Sequence, residues 1–377
     1  MINIFEPHLT NKSLEALNEV FESKWLGRGA IVADFEKSLA DFLSVSPLSI
    51  STMASCSDAI FAILHLLSKK TERRKVLVPS ISFPAIGSAV IEAGLDLIIV
   101  DVDAFTGNIC LESLSNEINN NAEVLAVFIT HYGGNPVDIE KLRDIVGNEI
   151  FILEDSACAL GSVLVDGSSV GSKGDFSCWS FDAMKLLVAG EGGAARFNDP
   201  ELLQKFKQYL YLGLPPSAKS GLDKVNGNEN WWSYQLNDFG RRSVFTNINA
   251  AIAMPQFSTL SEKLDRKAEI RERYIECIDK NTSISYSRQS GCSRYSNYFF
   301  TVLSERRDDL ALFFKDRGVY TTFRYFPLHL IKLFASVATI GEMAGANSFS
   351  SCALNIPIHD GLTDYEVNKI CKLLQEF

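Results

Sequence analysis

The sequence predicts an α/β protein: a large domain on a mixed, mostly parallel central sheet with helices on both faces, then a small C-terminal α+β domain. Three observations predict it. Apolar runs rich in Val and Ile alternate with stretches whose apolar residues recur at helical spacing. That alternation stops at a polar stretch, PPSAKSGLDKVNGNEN (215–230), and a different mixture follows. At 377 residues the chain is also long enough for two domains sharing one site.

In chain order, KVLVPS (75–80), LDLIIVDVD (95–103), EVLAVFITH (123–131) and IFILED (150–155) read as buried strands. Residues 57–67, 84–93 and 138–146 carry the helical pattern between them. DFSCWSF (175–181) and GGAARF (192–197) are two shorter strand candidates, and 215–230 reads as a long loop. A long charged helix is expected over 248–279. NYFFTVL (297–303) reads as a strand, RDDLALFFKDRG (307–318) as a helix and YTTFRYF (320–326) as a strand. The expected domains are therefore 1–247 and 248–377.

Composition narrows the function classes. The chain is 46% hydrophobic and 22% charged, with a net charge of -10, which favours neither nucleic acid nor an anionic membrane as a partner. Eight cysteines stand at 56, 110, 158, 178, 277, 292, 352 and 371, none in a CxxC pair, so no zinc site or iron–sulfur cluster is expected. The opening MINIFEPHLT is no signal peptide. The expectation is free thiols in a reducing cytoplasm. No apolar run approaches the roughly 18 residues of a membrane helix.

The chemistry centres on FSCWSFDAMKLLVAGEGGAARF (176–197), where Lys185 stands alone between an apolar run and Gly190, Gly192 and Gly193. A desolvated lysine amine forms Schiff bases with aldehydes, and the commonest aldehyde cofactor is pyridoxal phosphate. That cofactor asks for a carboxylate at its pyridine nitrogen, an anion cup at a helix start, and a flat side chain over its ring. Asp155 ends an apolar strand at the edge where open α/β sheets bind ligands, although taken alone it reads sooner as a helix-capping or turn aspartate. SCSDAIFAILHLL (55–67) runs from hydroxyl residues into a helix, so the Ser57 and Asp58 amides would face an anion; an ordinary N-cap is the other reading. Phe83, in VPSISFPA, follows a strand and is placed to stack on a ring or to enter the core. Taken as an ordered set, these signals are far more specific than any one of them.

The set is carried further by a resemblance. WLGRGAIVADFE, VPSISFPA, DVDAFTGNI, HYGG, LEDSACALGS, GSKGDFSCWSF, KLLVAGEGG and YFPLH occur in the order in which the DegT/StrS family of sugar aminotransferases has its motifs. The chain resembles that family, enzymes of the type I pyridoxal-phosphate fold, over essentially its whole length. The resemblance implies that Lys185 carries the cofactor covalently and Asp155 faces its pyridine nitrogen. It assigns Ser57, Asp58 and Ser180 to the phosphate and Phe83 to the ring face. It implies glutamate as amino donor, a keto sugar as acceptor, and a homodimer with its active site at the subunit interface.

Some positions depart from the family pattern. Cys158 stands where the family has a glutamine that hydrogen-bonds the cofactor's ring hydroxyl, and Leu160 where it has histidine. Arg242 stands where the family has an asparagine reaching the phosphate from the partner subunit, and an arginine suits a phosphate well. Trp231 and Trp232 are expected to be either a dimer anchor or part of a sugar-binding wall. His329, in YFPLH, matches a motif bordering the substrate pocket, and His131 is either structural or near the cofactor edge. The WSFDAMK context, the Trp pair and the paired arginines look most like the branch making 8-amino-3,8-dideoxy-manno-octulosonate for lipopolysaccharide. Its acceptor, 3,8-dideoxy-8-oxo-manno-octulosonate, bears a carboxylate that Arg324 would clamp. The alternatives are an aminotransferase for nucleotide-linked keto-hexoses and a non-catalytic cofactor-binding regulator.

Overall fold

The computed structural model describes residues 1–214, 236, 238–279, 283–289 and 291–377. Strands in chain order are β1 (Ile50–Met53), β2 (Lys75–Pro79), β3 (Asp96–Val100), β4 (Val124–Thr130), β5 (Phe151–Asp155), β6 (Val163–Leu164), β7 (Phe176–Ser180), β8 (Gly193–Phe197), β9 (Ser285–Tyr286), β10 (Cys292–Arg294), β11 (Phe300–Leu303), β12 (Thr339–Ile340) and β13 (Ala353–Ile356). Eight of them form one sheet in the order β1-β8-β7-β5-β4-β2-β3-β12. From β12 to β7 every neighbouring pair is parallel, while β8 runs antiparallel to both β7 and β1. The expected strands at 75–80, 95–103, 123–131, 150–155, 175–181 and 192–197 are thus all present, in a mixed and mostly parallel sheet.

Burial explains why these runs are strands. All seven residues of β4 are buried, as are the last four of β2, β3 and β5, the pattern of strands covered on both faces. The covering helices are α1 (Asn11–Ser23), α2 (Ala30–Leu43), α3 (Cys56–Ser68), α4 (Ala85–Glu92), α5 (Leu111–Asn120), α6 (Ile139–Val146) and α7 (Pro200–Tyr209). Asp138 caps α6 through the Lys141 amide, and Asp199 caps α7 ahead of Pro200 at its first position.

The remaining helices are α8 (Asn247–Ala253), α9 (Leu260–Ile278), α10 (Arg307–Asp316), α11 (Lys332–Ala335), α12 (Ala344–Cys352) and α13 (Asp364–Glu376). The single helix expected over 248–279 is in fact two, joined by a 3₁₀ segment, Met254–Thr259. Pro255 lacks the amide that would continue the ladder. Gln256 in that segment exchanges hydrogen bonds with the Val188 backbone, at 3.2 and 2.7 Å. The strand expected over 320–326 is also absent: only isolated bridges at Val319 and Thr322 form, because the backbone beyond them pairs with side chains instead. The Arg324 amide donates to Asn355 Oδ1 (2.9 Å), and its carbonyl accepts from the Tyr132 hydroxyl. A second core surrounds the antiparallel sheet β13-β11-β9, gathering Ile270 and Tyr274 of α9, Leu310 and Phe314 of α10, and Val367 and Leu374 of α13. Trp231, Trp232 and the stretch 215–230 lie outside the described residues.

Candidate active site

β5 ends at Asp155 and β7 at Ser180, at the carboxyl edge of the parallel strands. There β8 has a decisive effect. Because it returns antiparallel to β7, segment 181–192 stays at that same edge instead of crossing the sheet. It is closed by Phe181 N–H to Gly192 O (2.9 Å) and Ala189 N–H to Phe181 O (2.8 Å), and Lys185 sits within it. From the other side α3 brings its N-terminus, with Ser55 Oγ accepting from the Asp58 amide at 3.1 Å. A Cβ at Gly193 would run into the backbone of Ser55 and Cys56. The GEGG element therefore ends in glycine because the helix start lies directly on the first residue of β8.

The result is a cavity of about 260 Å³ whose lining includes Ser57, Phe83, Asp155, Ser180, Lys185 and Arg324. Six residues singled out from the sequence, drawn from five separate segments, therefore meet in one place. Lys185 Nζ lies 3.7 Å from Cys158 Sγ and 4.5 Å from the centroid of the Tyr298 ring. Burial works to lower its pKa, but Cys158, Tyr298, Tyr325 and Asp155 outweigh that and hold it well above the ordinary lysine value. Asp155 is 6% exposed; burial raises its pKa, against the opposing pull of the Ala157 amide and Lys185. Burial likewise raises the Cys158 thiol and brings Tyr298 to about 12.

These groups fit pyridoxal phosphate. The amine has no carboxylate within salt-bridge distance among the described residues. Among the described residues Asp155 takes one side-chain hydrogen bond, from Ala157 N–H to Oδ1 at 3.0 Å, which leaves Oδ2 for a ring N–H. The Cys56 and Ser57 amides, in the first turn of α3, have no partner within the helix and suit a phosphate. Phe83 stands half exposed at the mouth, edge-on to Tyr325 at 5.6 Å between centroids.

Other expected residues fall elsewhere. Asp58 offers the anion no donor: Ser55 takes its amide, and its carboxylate accepts from Ser55 (3.1 Å) and Ser243 (2.7 Å), which makes it a support of the helix start. Cys158 lies behind Lys185, with its sulfur 3.9 Å from the Tyr325 hydroxyl, and does not line the cavity. His329 is also outside the lining. Ser80 (2.6 Å) and Asn347 (3.0 Å) engage both of its ring nitrogens, so it has none left for substrate. Arg242 is exposed, stacked on Tyr211 at 5.2 Å, and does not line its own chain's cavity. His131 is structural: its Nδ1 accepts the Val137 amide (3.1 Å), which puts the proton on Nε2, against Glu154 at 2.9 Å.

Sequence reasoning missed three contributors. Tyr298 and Tyr325 wall the lysine, and Ser243 links Asp58 to the Ala54 amide (3.0 Å). Tyr325 lay inside the quoted YFPLH motif, where its ring was a usable signal. Tyr298 and Ser243 carry no local signal, because chain folding alone brings them to the site.

Fold and site together define a pyridoxal-phosphate-dependent aminotransferase. A family model for the DegT/DnrJ/EryC1/StrS aminotransferase family matches residues 7–375, and the chain belongs to that family of sugar aminotransferases, whose cofactor is pyridoxal phosphate. It is 32% identical to a dTDP-4-dehydro-2,3,6-trideoxy-D-glucose 4-aminotransferase of Saccharopolyspora spinosa, covering 100% of this chain and 96% of that one. It is 25% identical to GDP-perosamine synthase of Vibrio cholerae, covering 100% and 99%. The crystal structure of the aminotransferase TlmJ from Streptoalloteichus hindustanus superimposes with a TM-score of 0.89 at 33% identity, covering 100% of this chain and 98% of that one.

Proposed function

We propose that this enzyme moves an amino group from glutamate to the keto carbon of a nucleotide-linked hexose, as a homodimer. The observation that carries the transaminase chemistry is the meeting of the Lys185 amine and the Asp155 carboxylate in one cavity at the sheet edge. The sugar class rests on the relatives, which are named for dTDP- and GDP-linked sugars, and this moves our reading away from the octulosonate. The division of the chain at 247/248 is part of the same proposal.

Bound pyridoxal phosphate supplies an electron sink for the bonds at the substrate's amino-bearing carbon. The chain's own groups do the rest. Asp155 Oδ2 would accept the pyridine N–H and keep the ring protonated, its burial strengthening that contact. The first turn of α3 and the Ser57 and Ser180 hydroxyls anchor the phosphate. Lys185 Nζ, once deprotonated, would take the proton from the donor's α-carbon and deliver it to the cofactor carbon on the other side of the shared nitrogen. Phe83 and Tyr325 exclude water from one wall. Arg324, without a carboxylate partner among the described residues, faces the opening where a diphosphate or a donor carboxylate would lie.

Parallel incubations with glutamate and dTDP-, GDP- or UDP-linked 4-keto-hexoses, and with the 8-oxo-octulosonate, test the reading by the mass of the aminated product. A nucleotide-linked product is expected. Amination of the octulosonate alone would reverse the choice of sugar and leave the transaminase assignment standing.

A further inference from the structure

The cavity floor holds more than the proposed transaminase chemistry uses. Cys178 pairs with Asp155 in the parallel ladder between β7 and β5, so the two side chains rise side by side from the same face of the sheet. The start of α3 lies over that face and brings Cys56 down to them. The Cys56 sulfur, the Cys178 sulfur and an Asp155 oxygen all lie within 4.8 Å of one another. All eight cysteines are free thiols, and Cys56 lines the cavity. Asp155 is more than nine-tenths buried, and among the described residues no hydrogen bond ends on its Oδ2.

We propose that Cys56, Cys178 and Asp155 form a binding site for one thiophilic divalent cation, such as zinc or cadmium, in the chain that has not taken up its cofactor. Two sulfurs and one carboxylate oxygen are a set of three protein ligands suited to such ions, and the fourth position opens into the cavity. Tetrahedral coordination brings ligand atoms to about 3.5–4 Å apart, which is within reach of three atoms that already lie no more than 4.8 Å from one another. Binding displaces the two thiol protons to the buffer, so affinity increases with pH. Two thiolates, one carboxylate and a dication leave one negative charge, which the neighbouring Lys185 ammonium offsets. The cation and the pyridine nitrogen compete for the same carboxylate, so the ion and the cofactor exclude one another. Only this last point rests on the cofactor placement proposed above.

Cadmium titration of the full chain stripped of cofactor tests the site through the ultraviolet thiolate-to-cadmium absorbance. The chain should carry Cys277→Ser, because Cys277 and Cys371 are a second close thiol pair on α9 and α13. One equivalent should bind with the intensity of two thiolate bonds. Cys56→Ser should halve that intensity and weaken binding by about a hundredfold, as should Cys178→Ala if the buried substitution folds. Asp155→Asn should weaken binding and keep the full intensity. Titration of Cys56→Ser that matches the parent, or a band of one-thiolate intensity in the parent, overturns the proposal. Reconstitution with pyridoxal phosphate should weaken cadmium binding at least about tenfold. If reconstitution has no effect while Cys56→Ser still halves the band, the metal site stands and the cofactor's placement against Asp155 falls.

Discussion

Lys185 Nζ and Cys158 Sγ face each other at 3.7 Å, the amine pressed between a thiol and the face of Tyr298 with no carboxylate paired to it among the described residues. A structural lysine held partly out of water is ordinarily ion-paired, because desolvating an ammonium without a partner is costly. The arrangement suits an amine whose permanent partner is a carbonyl. The purified protein should therefore be yellow and lose that absorbance on borohydride treatment, with the added mass on Lys185. Lys185→Ala should bind cofactor without turnover. Reductive labelling of any other lysine would remove the assignment.

Asp155 has a raised pKa because it is buried, and a cationic ring nitrogen would lower it again. Asp155→Asn keeps the shape and loses the anion. Single-turnover rates of α-proton removal in that variant should fall by orders of magnitude, while the protein remains folded. Near-normal rates would make the carboxylate a turn-capping group.

Asp58 supports the anion site indirectly, through Ser55 and Ser243. Asp58→Ala should loosen the start of α3, costing about 1–2 kcal/mol of stability. Cofactor release, followed by dialysis and absorbance, should be faster than in the wild type. Asp58→Asn retains an acceptor and should recover most of the loss; a variant with unchanged release would make the support irrelevant to binding.

The two arginines should separate by which half of the reaction they disturb. Losing a buried charge-assisted contact costs about 2–5 kcal/mol. Arg324→Ala should raise the Michaelis constant for the acceptor and leave the cofactor in place. Arg242→Ala, if it reaches the partner's phosphate, should loosen the cofactor first. Each half-reaction must be measured separately, because the donor is itself a dicarboxylate. Equal loss of cofactor in both variants would contradict these roles.

Lys267 of α9 is 4% exposed, 5.9 Å from the centroid of Tyr298, and burial pushes its pKa down to about 8 from the ordinary 10.5. Between those values the unfolded chain binds the proton that the folded chain has released, so stability rises with pH across that window. Below pH 8 both states are protonated and the folded state bears the whole cost, about 3 kcal/mol. Lys267→Met should thus be more stable than the wild type at pH 7, with the gain shrinking toward pH 10.5. Urea titrations at pH 7 and 10 measure it, and a gain that does not change with pH would count against this account.

The sheet was legible because its strands are buried on both faces and read as unbroken apolar runs. That Lys185, Asp155, Ser57, Phe83, Ser180 and Arg324 line one cavity could be anticipated because each lies in a short segment of distinctive composition. The break at Pro255 was missed because apolar spacing continues through it while the hydrogen-bond ladder does not. His329 was misread because a motif position says nothing of what saturates a ring nitrogen, which here is Ser80 and Asn347. Asp58 was misread for a related reason: helix starts attract anions, but this one spends its third amide on its own serine cap.

The reversal of β8 bears on how such sites can be rebuilt. Segment 181–192 enters and leaves the sheet through adjacent, directly paired strands, so its ends are fixed by the β7–β8 ladder, while its interior is held by Asn249 and Gln256, which bond the Ala189 and Val188 backbone. It is a cassette: a loop of the same length from a relative could be grafted between Ser180 and Gly193 without changing the order of strands. Phe83 and Arg324 reach the same cavity over long chain separations and could not be exchanged in this way. Recombination among relatives should therefore transplant the lysine loop only where Asn249 and Gln256 are matched, whereas the mouth of the site would have to be redesigned residue by residue.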